Sequence, residues 1–124
     1  MPVTIPGFLL RDVFGNDYTR ALLLQLTAEG EPMRYADSRR RLGLHPQQFQ
    51  RALDRLESHG LVGLRAPADV TKDHVERSYP VFLEPTALGV FCADLWERMN
   101  ADFSKLAAER EIPQEVLVAS AGKD

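Results

Sequence analysis

Residues 33–65, MRYADSRRRLGLHPQQFQRALDRLESHGLVGLR, decide the fold of this chain. The charged, helix-forming residues from Arg34 to Leu42 predict a first helix. Gly43 follows where a chain leaving a helix often adopts a left-handed conformation. Pro46 suits the first position of a second helix, because its missing N–H needs no partner there. The stretch therefore predicts two helices joined by a short turn at residues 43–45.

The second predicted helix has one apolar and one polar side. The apolar residues recur at helical spacing and predict a buried face. They are Phe49, Ala52, Leu53 and Leu56. The polar and partly basic residues of the opposite side are Gln47, Arg51, Asp54, Arg55 and Ser58, with Gln48 and Gln50 on the flanks. Gly60 ends the helix. The helix therefore presents a polar and partly basic surface outward.

A β-hairpin is expected directly after this helix. Leu61–Arg65 favours one strand and Ser78–Leu83 another, joined by a polar tip at residues 66–77. Pro80 has no N–H to give to a ladder, so the second strand should be bulged or expose its Pro80 edge. Helix, turn, helix and hairpin together predict a winged helix-turn-helix, a fold class that is mainly α with a small β-hairpin.

The residues before this stretch predict two further helices. Residues 6–15 favour a short apolar helix whose Phe8, Leu9 and Phe14 must pack on something, a partner subunit being one candidate. Asn16 or Asp17 can cap the next helix, from residue 17 to 28. Its leucines are spread around most of the helix, which predicts burial on most sides.

A long helix is expected after the hairpin, from Ala87 to about Arg110, with Thr86 as its cap. An apolar stripe follows its helical spacing, and its members are Leu88, Phe91, Cys92, Leu95, Met99, Phe103 and Leu106. Because a small domain can hardly cover so long a stripe, we expect a dimerisation helix in a homodimer. The alternative is that the helix folds back on its own domain.

The length of 124 residues and a hydrophobic content of 44% predict a single domain with its own core. Its parts would be an N-terminal helix (6–15), a core (16–83), a C-terminal helix (86–111) and a tail (112–124). No apolar run reaches the roughly 18 residues that span a bilayer, so a cytoplasmic protein that does not contact membranes is expected.

Neither a cofactor nor catalysis is expected. Cys92 is the single cysteine, and the three histidines (His45, His59 and His74) lack the spacing of metal ligands, so they should be solvated or capping residues and no metal is predicted. No glycine-rich phosphate loop and no nucleophile paired with a base is present, which argues against an enzyme.

Charge is distributed unevenly along the chain. Residues 33–65 contain seven arginines and three acidic residues, a net charge of +4. Since the whole chain carries −3, the remainder carries −7. This division is typical of a protein with one DNA-facing surface and an acidic body, although a basic patch also occurs on proteins that bind acidic partners.

Between Phe14 and Gly89 the sequence resembles small winged-helix transcriptional regulators, closest to the HxlR type and next to the MarR and PadR types. The resemblance lies in Gly15–Thr19 with Leu22–Leu24, Gly30–Tyr35, Gln50–Val62 and Pro85–Gly89. Ser38 stands where these families usually have leucine, and His45 where they have a small polar cap. The resemblance implies a DNA-binding regulator, here interpreted as a homodimeric repressor.

In a helix-turn-helix the second helix enters the major groove with its amino-terminal residues nearest the bases. The residues expected to contact bases are Gln47, Gln48, Gln50 and Arg51. Glutamine can pair with adenine and arginine with guanine. The residues expected to contact phosphates are Arg39, Arg40, Arg41 and Arg55, together with Lys72 and Arg77 in the wing.

Two alternatives stay open from the sequence. The polar helix face and the arginine triplet could be no more than a solvated surface. The domain could also be a protein-protein interaction module that keeps the fold and holds a protein partner through its basic face or its apolar helix. Phe91, Cys92, Trp96 and Tyr79 could line a pocket for an unidentified small-molecule effector, or simply belong to the core.

Overall fold

The computed structural model describes residues 3–65 and 81–116. These residues form two compact units, the first ending at Ala93 and the second beginning at Asp94. The helices are a π-helix (Leu9–Phe14), α1 (Asp17–Glu29), α2 (Tyr35–Leu42), α3 (Pro46–Ser58) and α4 (Ala87–Glu109). The strands are β1 (Met33–Arg34), β2 (Val62–Arg65) and β3 (Phe82–Pro85). The predicted fold class, mainly α with a small antiparallel sheet, is confirmed.

The predicted helix ends of the helix-turn-helix are confirmed. Gly43 and Gly60 follow α2 and α3 with φ values of 67° and 74°, the left-handed region that glycine enters without steric cost. Asn16 caps α1, since its Oδ1 accepts from the backbone N–H of Thr19 at 3.0 Å. The core of the first unit lies between α1, α3 and the sheet, and its largest side chain, Phe49, is fully buried.

The sheet has three strands in the order β1–β3–β2, one more than the sequence predicted. Leu64 pairs with Leu83 in the hairpin, and Met33 pairs with Leu83 on the other side. The two residues of β1 are too few for a strand pattern to be visible in the sequence. The predicted second strand begins later than expected, at Phe82, and Pro80 lies outside the described residues.

The N-terminal segment differs from the α-helix expected at residues 6–15. It forms a π-helix whose Leu9, Val13 and Phe14 are buried within the first unit. These side chains pack on their own chain, so no partner subunit is needed to cover them. Gly15 ends the segment where a Cβ would stand 2.6 Å from the carbonyl oxygen of Leu10, which only glycine avoids.

A joint in the first unit connects the end of α3, the start of β2 and the start of α4. The Thr86 hydroxyl donates to the Gly60 carbonyl at 2.6 Å and accepts from the Gly89 N–H at 3.0 Å. The Thr86 N–H donates to the Leu61 carbonyl at 3.0 Å. Thr86 therefore caps α4, as predicted, and also connects it to the end of α3. We call Gly60, Leu61, Thr86 and Gly89 the Thr86 joint.

Gly89 should be irreplaceable in this joint. A Cβ at this position would lie 2.1 Å from the carbonyl oxygen of Leu61, which is backbone and cannot rotate away. We expect Gly89→Ala to lower the free energy of unfolding by about 1–3 kcal/mol, despite the higher helix propensity of alanine. Urea denaturation followed by circular dichroism measures this change.

Gly63→Ala is the matched control, because a Cβ added at residue 63 would meet no atom of the described residues within 4 Å. It should leave the denaturation midpoint within the range of ordinary surface substitutions, about 0.5 kcal/mol. Equal midpoints for Gly89→Ala and the natural protein would contradict the close approach.

A polar pair fastens α2 to α1. Ser38 is fully buried, and its hydroxyl donates to Oε1 of Gln25 at 2.5 Å. The Gln25 side-chain N–H returns a bond to the Ser38 carbonyl at 3.3 Å. Ser38 is thus a buried polar residue of α2 whose hydroxyl has a partner on α1.

Ser38→Ala should destabilise the protein by about 1–3 kcal/mol, because the half-buried Gln25 oxygen loses its donor. The control is Ser58→Ala, which removes an exposed hydroxyl that donates only to the Arg55 carbonyl in its own helix. Thermal and urea unfolding of both variants check the prediction, and it is contradicted if the two midpoints shift equally.

The second unit contains the part of α4 from Asp94 to Glu109 and the residues after it. Most of its side chains are exposed, Phe103 and Leu106 among them. Glu111 has a φ of 54°, which turns the chain before a final helical turn at residues 114–116. Among the residues described, none of the helices combines the length and apolarity required to cross a bilayer.

Candidate nucleic-acid interface

An open cleft of about 500 Å³ lies between two helices of the first unit, α2 and α3. Tyr35 and Arg39 of α2 form one wall, and the amino-terminal half of α3 forms the other. The α3 lining residues are Pro46, Gln47, Gln50 and Arg51. We call this site the α2–α3 cleft. It brings together three of the four residues predicted to contact bases and one of those predicted to contact phosphate.

Arg51 and Gln47 are the side chains of the cleft most available to a ligand. Both are exposed on α3. Within residues 3–65 and 81–116, neither side chain makes a hydrogen bond or an ion pair. An arginine in this position offers five N–H donors in a planar fork, which matches the paired acceptors of guanine or the oxygens of a phosphate.

Gln48, the fourth residue predicted to contact bases, bonds to two groups of its own chain. Its Oε1 accepts from the backbone N–H of His45 at 3.0 Å, and its Nε2 donates to the Tyr18 hydroxyl at 3.2 Å. His45 in turn caps α3, with Nδ1 facing the N–H of Gln47 at 3.4 Å. Gln48 therefore closes a capping box at the start of α3 and does not line the cleft.

Gln50 lines the cleft, but both ends of its amide are already bonded. The Tyr35 hydroxyl donates to Oε1 at 2.6 Å, and Nε2 donates to Asp54 at 2.9 Å. Tyr35 was not among the candidate residues, because its role depends on a partner 15 positions along the chain. The sequence signal that could have identified it is an aromatic residue one helical turn before the arginine triplet.

The three consecutive arginines of α2 have three different environments. Arg39 lines the α2–α3 cleft and donates to the Leu44 carbonyl at 3.4 Å. Arg40 pairs with Asp37, and Arg41 pairs with Glu29 at 3.3 Å. A second cavity of about 410 Å³ lies beside Arg39 and Arg40 at the turn of the motif. The ion pairs of Arg40 and Arg41 are exposed, so each stabilises the protein little, and another anion can replace the carboxylate in either pair.

The remaining predicted phosphate contacts fall into two groups. Arg55 is exposed on α3, one turn beyond Arg51, and its side chain has no bonded partner among the residues that the structure describes. Lys72 and Arg77 lie outside the described residues. Arg65, near the end of the hairpin, pairs with Glu84 at 3.0 Å.

His59 and Cys92 contact other residues of their own chain. His59 follows α3, lies 3.5 Å from Asp12 and packs edge-on against Phe8 with ring centroids 4.2 Å apart. Cys92 is buried, and this burial raises the pKa of its thiol, which keeps it protonated. In the described part of the chain, no three potential ligands cluster around a metal position. His74, and Tyr79 of the predicted effector pocket, lie outside that part.

The residues predicted to form the dimerisation stripe are divided by their exposure. In the first unit Leu88 and Phe91 are 47% and 60% exposed, whereas Cys92 is only 1% exposed and so packs inside its own chain. In the second unit Phe103 and Leu106 are 56% and 51% exposed, and Leu95 and Met99 are partly exposed. Large apolar side chains on a surface at helical spacing are typical of contact sites.

Two solved structures resemble this fold. A mutant of ZitR from Lactococcus lactis superposes with a TM-score of 0.52 and 19% identity, over 86% of this chain and 73% of that chain. NadR in complex with 4-hydroxyphenylacetate is similar over 99% of both chains, with a TM-score of 0.48 and 20% identity. No family model and no curated protein sequence matches the chain. At such low identity the likeness to ZitR supports the winged-helix fold alone.

Proposed function

We propose that this protein is a winged-helix transcriptional regulator that binds double-stranded DNA as a homodimer and acts as a repressor. The observation that carries the proposal is the α2–α3 cleft, in which Arg39 and Arg51 lie on one exposed face beside Gln47. Two cations and a glutamine on an open surface provide both kinds of contact that DNA requires, to phosphates and to base edges.

The position of the cleft on the helix-turn-helix fits this role. The cleft is lined by Pro46, Gln47 and Arg51, which lie among the first six residues of α3. This is the part of a recognition helix that reaches base edges in the major groove. Arg39 extends from the preceding helix, which in this motif crosses the DNA backbone. Arg51 is therefore assigned to a base, and Arg39 to a phosphate.

The exposed apolar residues of α4 support a homodimer. Phe91 in the first unit and Phe103 in the second each leave more than half of their surface in contact with water. Burial of apolar surface is favourable by roughly 25 cal/mol per Å², so a second copy that covered these side chains would gain stability. A two-fold dimer would place two copies of α3 about one DNA turn apart, on a pseudo-palindromic operator.

The finer assignments are part of the proposal. The segments around Gly15–Thr19 and Gly30–Tyr35 favour the HxlR type of regulator. Binding to chromosomal DNA requires a cytoplasmic location. A regulator of this kind needs neither a cofactor nor a catalytic residue, and a small-molecule effector would act by changing its affinity for DNA.

A protein-protein interaction module is the second candidate. Arg40 and Arg41 are paired with acidic residues of their own chain, which lowers the positive charge available to DNA. The exposed phenylalanines would suit an apolar partner as well as a second copy. This candidate predicts no sequence preference in any DNA-binding measurement.

Selection from a random-sequence duplex pool tests the DNA assignment. The natural protein should enrich a motif, and Arg51→Ala should relax one position of it by about 1–3 kcal/mol, the value of a bidentate contact to guanine. Changing Arg39, Arg40 and Arg41 to alanine together should lower the salt slope of log K by up to about 2.7, since each phosphate contact contributes about 0.9.

Arg11→Ala is the matched control, because it removes an exposed arginine that lines neither cavity. It should change neither the motif nor the salt slope. If the natural protein binds no duplex even at low salt, the proposal fails and the interaction module is favoured.

The dimer is tested by analytical ultracentrifugation. Phe103→Glu places a charge on the exposed apolar stripe, so we expect the dissociation constant to rise at least tenfold, about 1.4 kcal/mol. Ala101→Glu adds the same charge at an exposed position of the same helix that is not part of the stripe, and it should leave the dimer unchanged. A natural protein that sediments as a monomer at micromolar concentration would disprove the dimer.

A further inference from the structure

We infer that Tyr35 and Asp54 hold the Gln50 amide in one orientation through two hydrogen bonds, so that Gln50 positions the α2–α3 cleft and does not read a base. Base identity is then read by Arg51 and Gln47. The inference rests on the proposed function, because it concerns how the same cleft selects DNA. It also assigns a role in base specificity to Tyr35, because the Tyr35 hydroxyl holds the Gln50 amide.

The orientation of the Gln50 amide follows from the chemistry of its two partners. A carboxylate can only accept hydrogen bonds, so the group facing Asp54 at 2.9 Å must be the Nε2 donor. Oε1 consequently faces the Tyr35 hydroxyl, which donates to it at 2.6 Å. The reverse orientation would set the amide oxygen against the carboxylate. Asp54 therefore selects the orientation, and the Tyr35 hydroxyl, which can donate or accept, acts as the donor in it.

The donor itself is held in place by the core. The Tyr35 ring packs edge-on against Phe49, with ring centroids 4.8 Å apart and planes at 79°. Phe49 is fully buried, and Tyr35 begins α2 immediately after β1. The hydroxyl is thus positioned by a rigid ring and has little freedom to leave Gln50. Asp54 lies one turn further along α3 and supplies the second contact from the same helix.

This arrangement changes the base preference expected of the cleft. Glutamine recognises adenine when its oxygen accepts from the N6 amino group while its nitrogen donates to N7. In Gln50 one lone pair of Oε1 and one N–H of Nε2 are already bonded to Tyr35 and Asp54, so turning the amide toward a base would break these bonds. Arg51 has no such competing contacts within the described residues, and it prefers guanine.

Tyr35→Phe tests the inference, because it removes the hydroxyl and keeps the ring that packs on Phe49. Base preferences are measured by duplex selection for the natural protein, Tyr35→Phe, Gln50→Ala and the double variant. Because Gln50 positions the cleft, we expect Gln50→Ala to weaken binding to every sequence without removing a preference for any base. Tyr35→Phe should gain a preference for adenine at one position of at least about fivefold, the low end for a bidentate contact. The double variant should lose that preference.

Each outcome decides a separate point. A natural motif that loses an adenine preference in Gln50→Ala would overturn the inference and leave the proposed function intact. So would identical motifs for the natural protein and Tyr35→Phe. Failure of the natural protein to bind any duplex removes the proposed function and the inference with it. Asp54→Asn is the second variant if Tyr35→Phe unfolds: it permits the opposite amide orientation and should also alter the motif.

Discussion

The Thr86 joint is the constraint on which the first unit depends. One hydroxyl accepts from the N–H of Gly89 and donates to the carbonyl of Gly60, so a single side chain caps α4 and connects it to the residue that ends α3. Because Leu61 is fully buried and its carbonyl stands where a Cβ of residue 89 would be, α4 passes against the chain at the start of β2. This contact connects the end of α3, one of the two helices of the α2–α3 cleft, to the start of α4.

The sequence predicted the parts of the fold that are governed by local rules. Gly43, Pro46 and Gly60 are limited by backbone conformation, and each lies where the sequence places a helix end. It missed the features that depend on distant partners. The strand Met33–Arg34 exists because β3 pairs with it. Leu9–Phe14 forms a π-helix where an α-helix was predicted, because the apolar pattern of this segment does not distinguish the two kinds of helix.

The candidate site shows the same division between local and distant causes. Gln48 and Gln50 are two residues apart and of one type, and the sequence offered the same role for both. Gln48 turns toward Tyr18, 30 positions away, and Gln50 toward Tyr35, 15 positions away. Amphipathic spacing places both glutamines near the polar face of the helix. It does not show that their amides are bonded, because both tyrosine partners are distant in the sequence.

The charge of residues 33–65 is smaller at the surface than the sequence suggests. Arg40, Arg41 and Arg65 each face a carboxylate of the same chain. Such exposed pairs contribute about 0–1 kcal/mol, so a phosphate can replace the carboxylate, but the released acid then repels the DNA backbone. In the proposed complex with DNA, attraction to any sequence would therefore be weakened, and more of the binding free energy would have to come from contacts to bases. The paired arginines, and Arg51 with no partner among the described residues, both agree with the proposed surface that discriminates between sequences.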